Sequence, residues 1–185
     1  MIMDDITTTP SRLSTPARNV DATLDVGLLV LRLGLGAALL HAAFLKLSDF
    51  PTTIQFMADA GWRLPAFAAF MVTATETLAG IGVVLGVMTP LAASAGLGAM
   101  LCAWAVNVSA GAVWEDPFNA PFLIGLGAAT LLATGAGGYA VDARVLSRFS
   151  WSPRVKVILL VLAFVTAVVT WVALYGVNPI HFGAV

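Results

Sequence analysis

Five stretches of this chain are each about 20 predominantly apolar residues long, the length a helix needs to cross the hydrocarbon core of a bilayer. They run Val26–Leu47, Ala66–Met88, Leu91–Ser109, Pro121–Gly138 and Val157–Tyr175. Inside a membrane no water is available to pair backbone N–H and C=O groups, so a run of this kind must close its own hydrogen bonds as a helix. Charge is correspondingly scarce. Only 10% of the residues are charged and 59% are hydrophobic, where a soluble domain carries roughly 25% charged residues. The expected fold is an all-α, polytopic transmembrane helical bundle with a four-helix core and a fifth transmembrane helix.

The short intervening segments set the expected layout. Residues 1–25 read as a flexible N-terminal tail with no removable signal pattern, 26–142 as the four-helix membrane core, and 143–156 as a basic connector. The fifth helix follows at 157–175, and 176–185 form a C-terminal tail. If the spans alternate, Arg12, Arg18, Arg144, Arg148, Arg154 and Lys156 share one side, and Lys46 and Arg63 fall on the other. Short loops rich in Lys and Arg stay inside. The expected location is therefore a bacterial plasma membrane, multi-pass, with the N-terminus cytoplasmic and the C-terminus outside. Gly86, Thr89 and Pro90 leave almost no loop, so spans two and three should be adjacent and antiparallel. Glycines in the first four spans suit close helix packing, and most tryptophans suit the interface.

Glu76 is the residue that most asks for a function. It lies near the centre of its span, where a carboxylate is expensive unless paired, protonated or wetted. The preceding span supplies Arg32, His41 and Lys46 as possible partners. Measured along ideal helices from mid-membrane, Arg32 falls about 7 Å toward the cytoplasm, His41 about 7 Å outward and Lys46 about 14 Å outward. Side chains lean toward the N-terminus of their own helix, which favours Glu76 with His41 over Glu76 with Arg32. The pairing with Lys46 stays open. Asn107, in the outer part of the third span, would join His41 and Lys46 around an outward-facing polar pocket. Glu76 and His41 are the candidates for proton handling, and Arg32, Lys46 and Asn107 for holding a bound group.

Other chemistries find little support. Cys102 is the single cysteine, so no internal redox disulfide can form. His41 and Glu76 alone fall short of the three or four protein ligands a metal usually takes, so no metal is expected. Nor is haem, since the chain has no haem-attachment motif; phosphate loop and serine elbow are missing too. There is no basic face for nucleic acid.

Several of these residues also form a known pattern. Arg32 followed by a small-residue helix and His41-Ala42-Ala43-Phe44-Leu45-Lys46 resembles the first span of the DoxX family of small bacterial and archaeal integral membrane proteins. Glu76-Thr77-Leu78-Ala79-Gly80, with Gly86 before the Thr89-Pro90 turn, resembles the second, and Gly135–Asp142 the family's closing glycine-rich turn and aspartate. The resemblance covers about Leu28–Asp142 and implies a four-helix membrane core. It departs at Phe118-Asn119-Ala120-Pro121, where members commonly carry an acidic residue. Some members resemble the membrane subunit of thiosulfate:quinone oxidoreductase, and others are linked to a membrane redox assembly.

The resemblance implies a membrane subunit of a quinone-linked redox complex, concerned with sulfur compounds or oxidative stress. It would hold a quinone or a small anion in its bundle. The expected partners are membrane lipid and peripheral redox enzymes or other membrane subunits. Two other classes stay open: a non-catalytic scaffold that recruits redox enzymes, and a small anion or proton-linked transporter.

Overall fold

The structure, a computed structural model, describes residues 15–145, 151–177 and 180. Arg12, Arg148, His181 and parts of both expected tails lie outside the described residues, as does the side chain of Arg18. The elements are all helical: α1 (Thr15–Ser48), α2 (Phe50–Asp59), α3 (Pro65–Leu85), α4 (Thr89–Val108), α5 (Ala120–Thr134), α6 (Val141–Arg144) and α7 (Pro153–Leu174). Four of them, α1 from Ala22 onward, α3, α4 and α7, are long and apolar enough to cross a membrane. The protein is an all-α, multi-pass membrane bundle.

Three boundaries differ from the sequence reading. The first helix starts at Thr15 instead of Val26, so the stretch from Thr15 to Asp25 is helical. A separate helix, α2, follows Ser48. The Asp49 carboxylate caps it by accepting from Thr52 N at 3.1 Å and from the Thr52 hydroxyl at 2.7 Å, and Pro51 lies in its first turn. These donors hold the Asp49 carboxyl below its ordinary range. Third, α5 has only 15 residues and stops at Thr134, because Gly135 takes a φ of 93° that ends the helix. At 1.5 Å per residue it is about 22 Å long, short of the roughly 30 Å of a hydrocarbon core.

The turn between α3 and α4 follows the expected logic. Gly86 adopts φ 67° and Val87 N donates back to Gly82 O at 2.9 Å, so α3 ends in a left-handed cap of the kind glycine favours. The next helix begins three residues later. Its first N–H groups are capped from 54 residues away, with the Asp142 carboxylate accepting from Met88 N at 2.8 Å and Thr89 N at 2.9 Å.

α1 packs along α3, α4 packs on α3 and α5, and α7 packs on α4 and α5. The shared core holds Leu35 and Leu39 of α1, Val83 of α3, Leu97 and Met100 of α4, and Leu131 of α5. α1 and α3 meet backbone to backbone. A Cβ on Gly36 would strike the Val84 side chain and lie 3.1 Å from Gly80 O, and one on Gly80 would lie 2.8 Å from Leu40 Cγ. This register matters for the site: Gly36 opposite Gly80–Val84 and Leu40 opposite Gly80 bring the turn around Ala43 level with Glu76.

Candidate functional site

Glu76 is buried, with its side chain 2% exposed, and its partner is Lys46. Lys46 Nζ lies 2.7 Å from Oε2 and 3.0 Å from Oε1, so one ammonium bridges both carboxylate oxygens. The antiparallel register of α1 and α3 sets the approach, and the lysine stem completes it by folding back one turn to donate to Ala42 O at 3.3 Å. Side chains lean toward the N-terminus of their helix, and four methylenes give lysine enough reach to exploit that lean. The preference for His41 over Arg32 thereby gives way to Lys46, the pairing that had stayed open. His41 is exposed on the outside of α1 and is not brought to Glu76, because the α1 face that meets α3 carries Gly36, Leu40 and Ala43.

Arg32 is placed elsewhere. It is buried, 2% exposed, and its guanidinium donates to three carbonyls: Nε to Val83 O at 3.2 Å, Nη2 to Val84 O at 3.1 Å and Nη1 to Ala136 O at 2.8 Å. Val83 and Val84 are in the last turn of α3, whose carbonyls have no partner within the helix. Ala136 belongs to the non-helical segment that follows the short α5. Asp25, also on α1, accepts from Gly138 N at 2.7 Å. Arg32 and Asp25 thus satisfy one carbonyl and one N–H of the non-helical residues 136–138.

A cavity of about 620 Å³ lies beside the Lys46–Glu76 pair, within the roughly 300–1,000 Å³ range of small-molecule sites. α4 forms its floor, α3 one wall and α7 the other, with Phe56 and Met57 of α2 at the Lys46 end. Lys46, Glu76 and Asn107 all line it, and neither Arg32 nor His41 does. Thus three of the five residues singled out in the sequence come together, and two do not. The rest of the lining is mostly apolar, with the hydroxyls of Thr75, Ser94, Thr166 and Thr170 among the exceptions. Ser94 is already used, donating to Leu159 O at 2.8 Å.

Two contributors escaped the sequence reading. One is α7, whose Ala163, Thr166, Ala167 and Thr170 all face the cavity. The i, i+3, i+4, i+7 spacing of small and hydroxyl residues in an otherwise bulky helix was the signal available. The other is Trp62. Expected as an interfacial anchor, it is instead buried, 8% exposed, and lines the cavity. Its ring lies 5.0 Å from that of Tyr175. Its Nε1 has no hydrogen-bond partner among the described residues. An aromatic in a loop of otherwise turn-like residues gives no sign of burial. It arises because Arg63 N donates to Leu174 O and Gly176 N to Gly61 O, both at 2.8 Å, which ties the α2–α3 turn to the end of α7.

Asn119, at the departure noted above, caps α5 by accepting from Phe122 N at 3.3 Å and donating to Asp116 O at 3.0 Å. It takes no part in the cavity. Among the described residues, no group of three or more His, Cys, Asp and Glu is placed to hold a metal ion.

The chain matches the DoxX family over residues 27–109. The matched segment holds α2, α3, α4 and α1 from Gly27, and so every one of the five singled-out residues. The Gly135–Asp142 turn, α5 and α7 lie beyond it. No curated protein and no solved structure matches the chain.

Proposed function

We propose, from the premise that residues 27–109 make this a DoxX-family membrane protein, that it is the membrane subunit of a quinone-linked redox complex. The observation that carries this reading is the Lys46–Glu76 pair on the wall of a mostly apolar cavity. A charged pair in that setting is costly, and it lies where a lipophilic ligand could reach it. The donor and acceptor chemistry fits a quinone ring, which needs a group to donate to its carbonyl oxygen and a group to pass a proton.

The chain's own residues would then work as follows. Lys46 uses its N–H groups on Glu76 and on Ala42 O, and the 3.3 Å bond to Ala42 O is the longest of them. Ala42 O is therefore the acceptor that a ligand oxygen replaces with least loss. Glu76 holds a proton or releases one while Lys46 compensates its charge. Asn107 orients the head from α4. A bound quinone would supply two-electron carrier chemistry of its own, with electrons arriving from a peripheral partner enzyme. Arg32 and Asp25 keep the opposite end of the bundle closed.

The same reading completes the topology. α5 runs antiparallel along α4 and meets Arg32 at its far end, so it serves as a short crossing and α7 as the fifth. Arg144, Arg154 and Lys156 gather at the Arg32 end. The positive-inside rule puts that end in the cytoplasm and the Lys46–Glu76 pair in the outer half of a bacterial plasma membrane. The test is mass spectrometry of small molecules co-extracted from gently solubilised membrane. Stoichiometric quinone in wild type, lost in Glu76→Gln while the fold is retained, is the expected result. Absence of quinone from correctly folded wild type overturns the reading.

A further inference from the structure

The cavity has a closed end and an open side. At the Lys46 end α7 is tied down twice. The backbone bridge between Trp62 and Tyr175 joins it to the α2–α3 turn, and the Tyr175 hydroxyl meets the Ser109 hydroxyl at the end of α4 at 2.5 Å. Along the rest of their length α3 and α7 each pack on α4 and leave a groove between them. The groove follows α4 from Asn107 to Leu91, about 24 Å at helical rise. Its floor is narrow in side chain at Ala95, Gly98 and Ala99. A Cβ on Gly98 would sit 3.6 Å from Ala163 O, so α7 approaches α4 closely there. Leu91 and Ala95 at the far end of the groove are exposed, as are Met71 and Leu162 on the two walls.

An occupant arriving from water would have to pass the tied end, whereas one dissolved in the bilayer meets an opening along the side. The charge distribution agrees: Asn107 lies toward the tied end and the Lys46–Glu76 pair about halfway along, level with Ala99 because Ala79 faces Gly96 across the antiparallel α3 and α4, while Leu91, Ala95 and Leu162 line the other end. We infer that the groove between α3 and α7 is the seat of the hydrocarbon chain of a membrane-resident amphiphile, which enters sideways from the bilayer with its polar head toward Lys46 and Glu76. The site therefore takes a chain-bearing ligand and not a water-soluble anion. This rests on the head site proposed above and adds the path, the direction and the ligand's second half.

The test uses the full chain in lipid nanodiscs and two photoreactive probes. One is a benzoquinone with an alkyl chain ending in a diazirine; the other has the same chain on a simple alcohol head. Illumination and peptide mass spectrometry locate the chain end. The quinone probe is expected to label the Leu91–Ala99 part of α4 and the Leu162–Thr166 part of α7. Ala99→Phe, which fills the groove, should reduce that labelling roughly tenfold. Ala95→Phe, at an exposed position, carries the same comparison should Ala99→Phe fail to fold. Labelling spread over outward faces such as Val30, Phe44 and Leu78, unchanged by either variant, overturns the inference. Equal labelling of the groove by both probes upholds the chain seat while sinking the quinone head reading. Head-dependent binding lost in Glu76→Gln, with no groove labelling, does the reverse.

Discussion

Replacing Lys46 by methionine separates what the ion pair does for the fold from what it does for a ligand. Methionine keeps a long apolar stem, so the main loss is the charge that neutralises Glu76. Removing one partner of a buried pair generally costs about 3–5 kcal/mol, because the other is left uncompensated. Two features lower the figure here. The Lys46 side chain is 24% exposed, so part of its interaction is screened. An abandoned carboxylate can also take up a proton, which from neutral water costs a glutamate about 3.7 kcal/mol and so caps the penalty of leaving that charge bare. The expected destabilisation of Lys46→Met is therefore about 2–3 kcal/mol, read from reversible unfolding of the purified protein in mixed micelles. Lys46→Met with Glu76→Leu should recover to within about 1 kcal/mol of wild type, since two apolar groups need no pairing. The double variant would then be folded and without a ligand head site. Additive costs, with no coupling between the two positions, or a loss below about 0.5 kcal/mol for Lys46→Met, would refute the reasoning.

Other outcomes follow from the opposite end of the bundle and from α1. Gly86→Ala should cost about 2 kcal/mol or more in the same unfolding assay: its φ of 67° is unfavourable for alanine, and the new Cβ would lie 2.5 Å from Ala140 Cβ. Arg32→Lys should destabilise by about 2 kcal/mol, because an ammonium cannot reproduce the fork that serves Val83, Val84 and Ala136, yet leave ligand binding to the folded fraction unchanged. Replacing the exposed His41 by leucine should shift stability by no more than about 0.5 kcal/mol and leave quinone co-extraction intact; loss of quinone would return His41 to the site. The Asp49 cap titrates in acid. Its carboxyl is held below the ordinary value, so its contribution is present above that value, about 3.9, and is lost as pH falls through the lower folded one. The protection factor of the Thr52 amide, its exchange rate relative to the free peptide at the same pH, should accordingly stay constant from neutral pH to about 4 and fall only below it.

Periodicity, length and the glycine-proline turn carried most of the fold, because a membrane helix announces itself by twenty apolar residues. Shorter features had no such signal. α2 has ten residues and follows α1 with a single residue between, so it read as loop. α5 ends four residues before its apolar run does, since Gly135–Gly138 are as compatible with an apolar helix as with its end. The site was half legible. Glu76 could be singled out from cost alone, but its partner depended on the facing of two helices and on side-chain reach. Treating each residue as a point at its Cα put Lys46 about 14 Å from mid-membrane, whereas its Nζ folds back to the level of Ala42. His41, nearer by that measure, points the wrong way, and azimuth overruled depth.

Arg32, buried, and Lys46, partly buried, show why a costly charge is not by itself a site. Arg32 and Lys46 sit on one helix and each is fully engaged, but their partners differ in what they can do. Arg32 meets three backbone carbonyls that neither titrate nor move without unwinding α3 or the segment after α5. Its surroundings include no part of the cavity, and its charge is met by carbonyl dipoles and by nearby Asp142. Such an arrangement fixes a shape. Lys46 meets a carboxylate that can exchange a proton, holds one long bond that can be given up, and borders open volume. The difference lies in the partner and the adjoining space, neither of which is a property of the cation itself. For this bundle the glycine contact between α1 and α3 decides both, since it sets Ala43 level with Glu76 and leaves α7, across α4, to form the second wall.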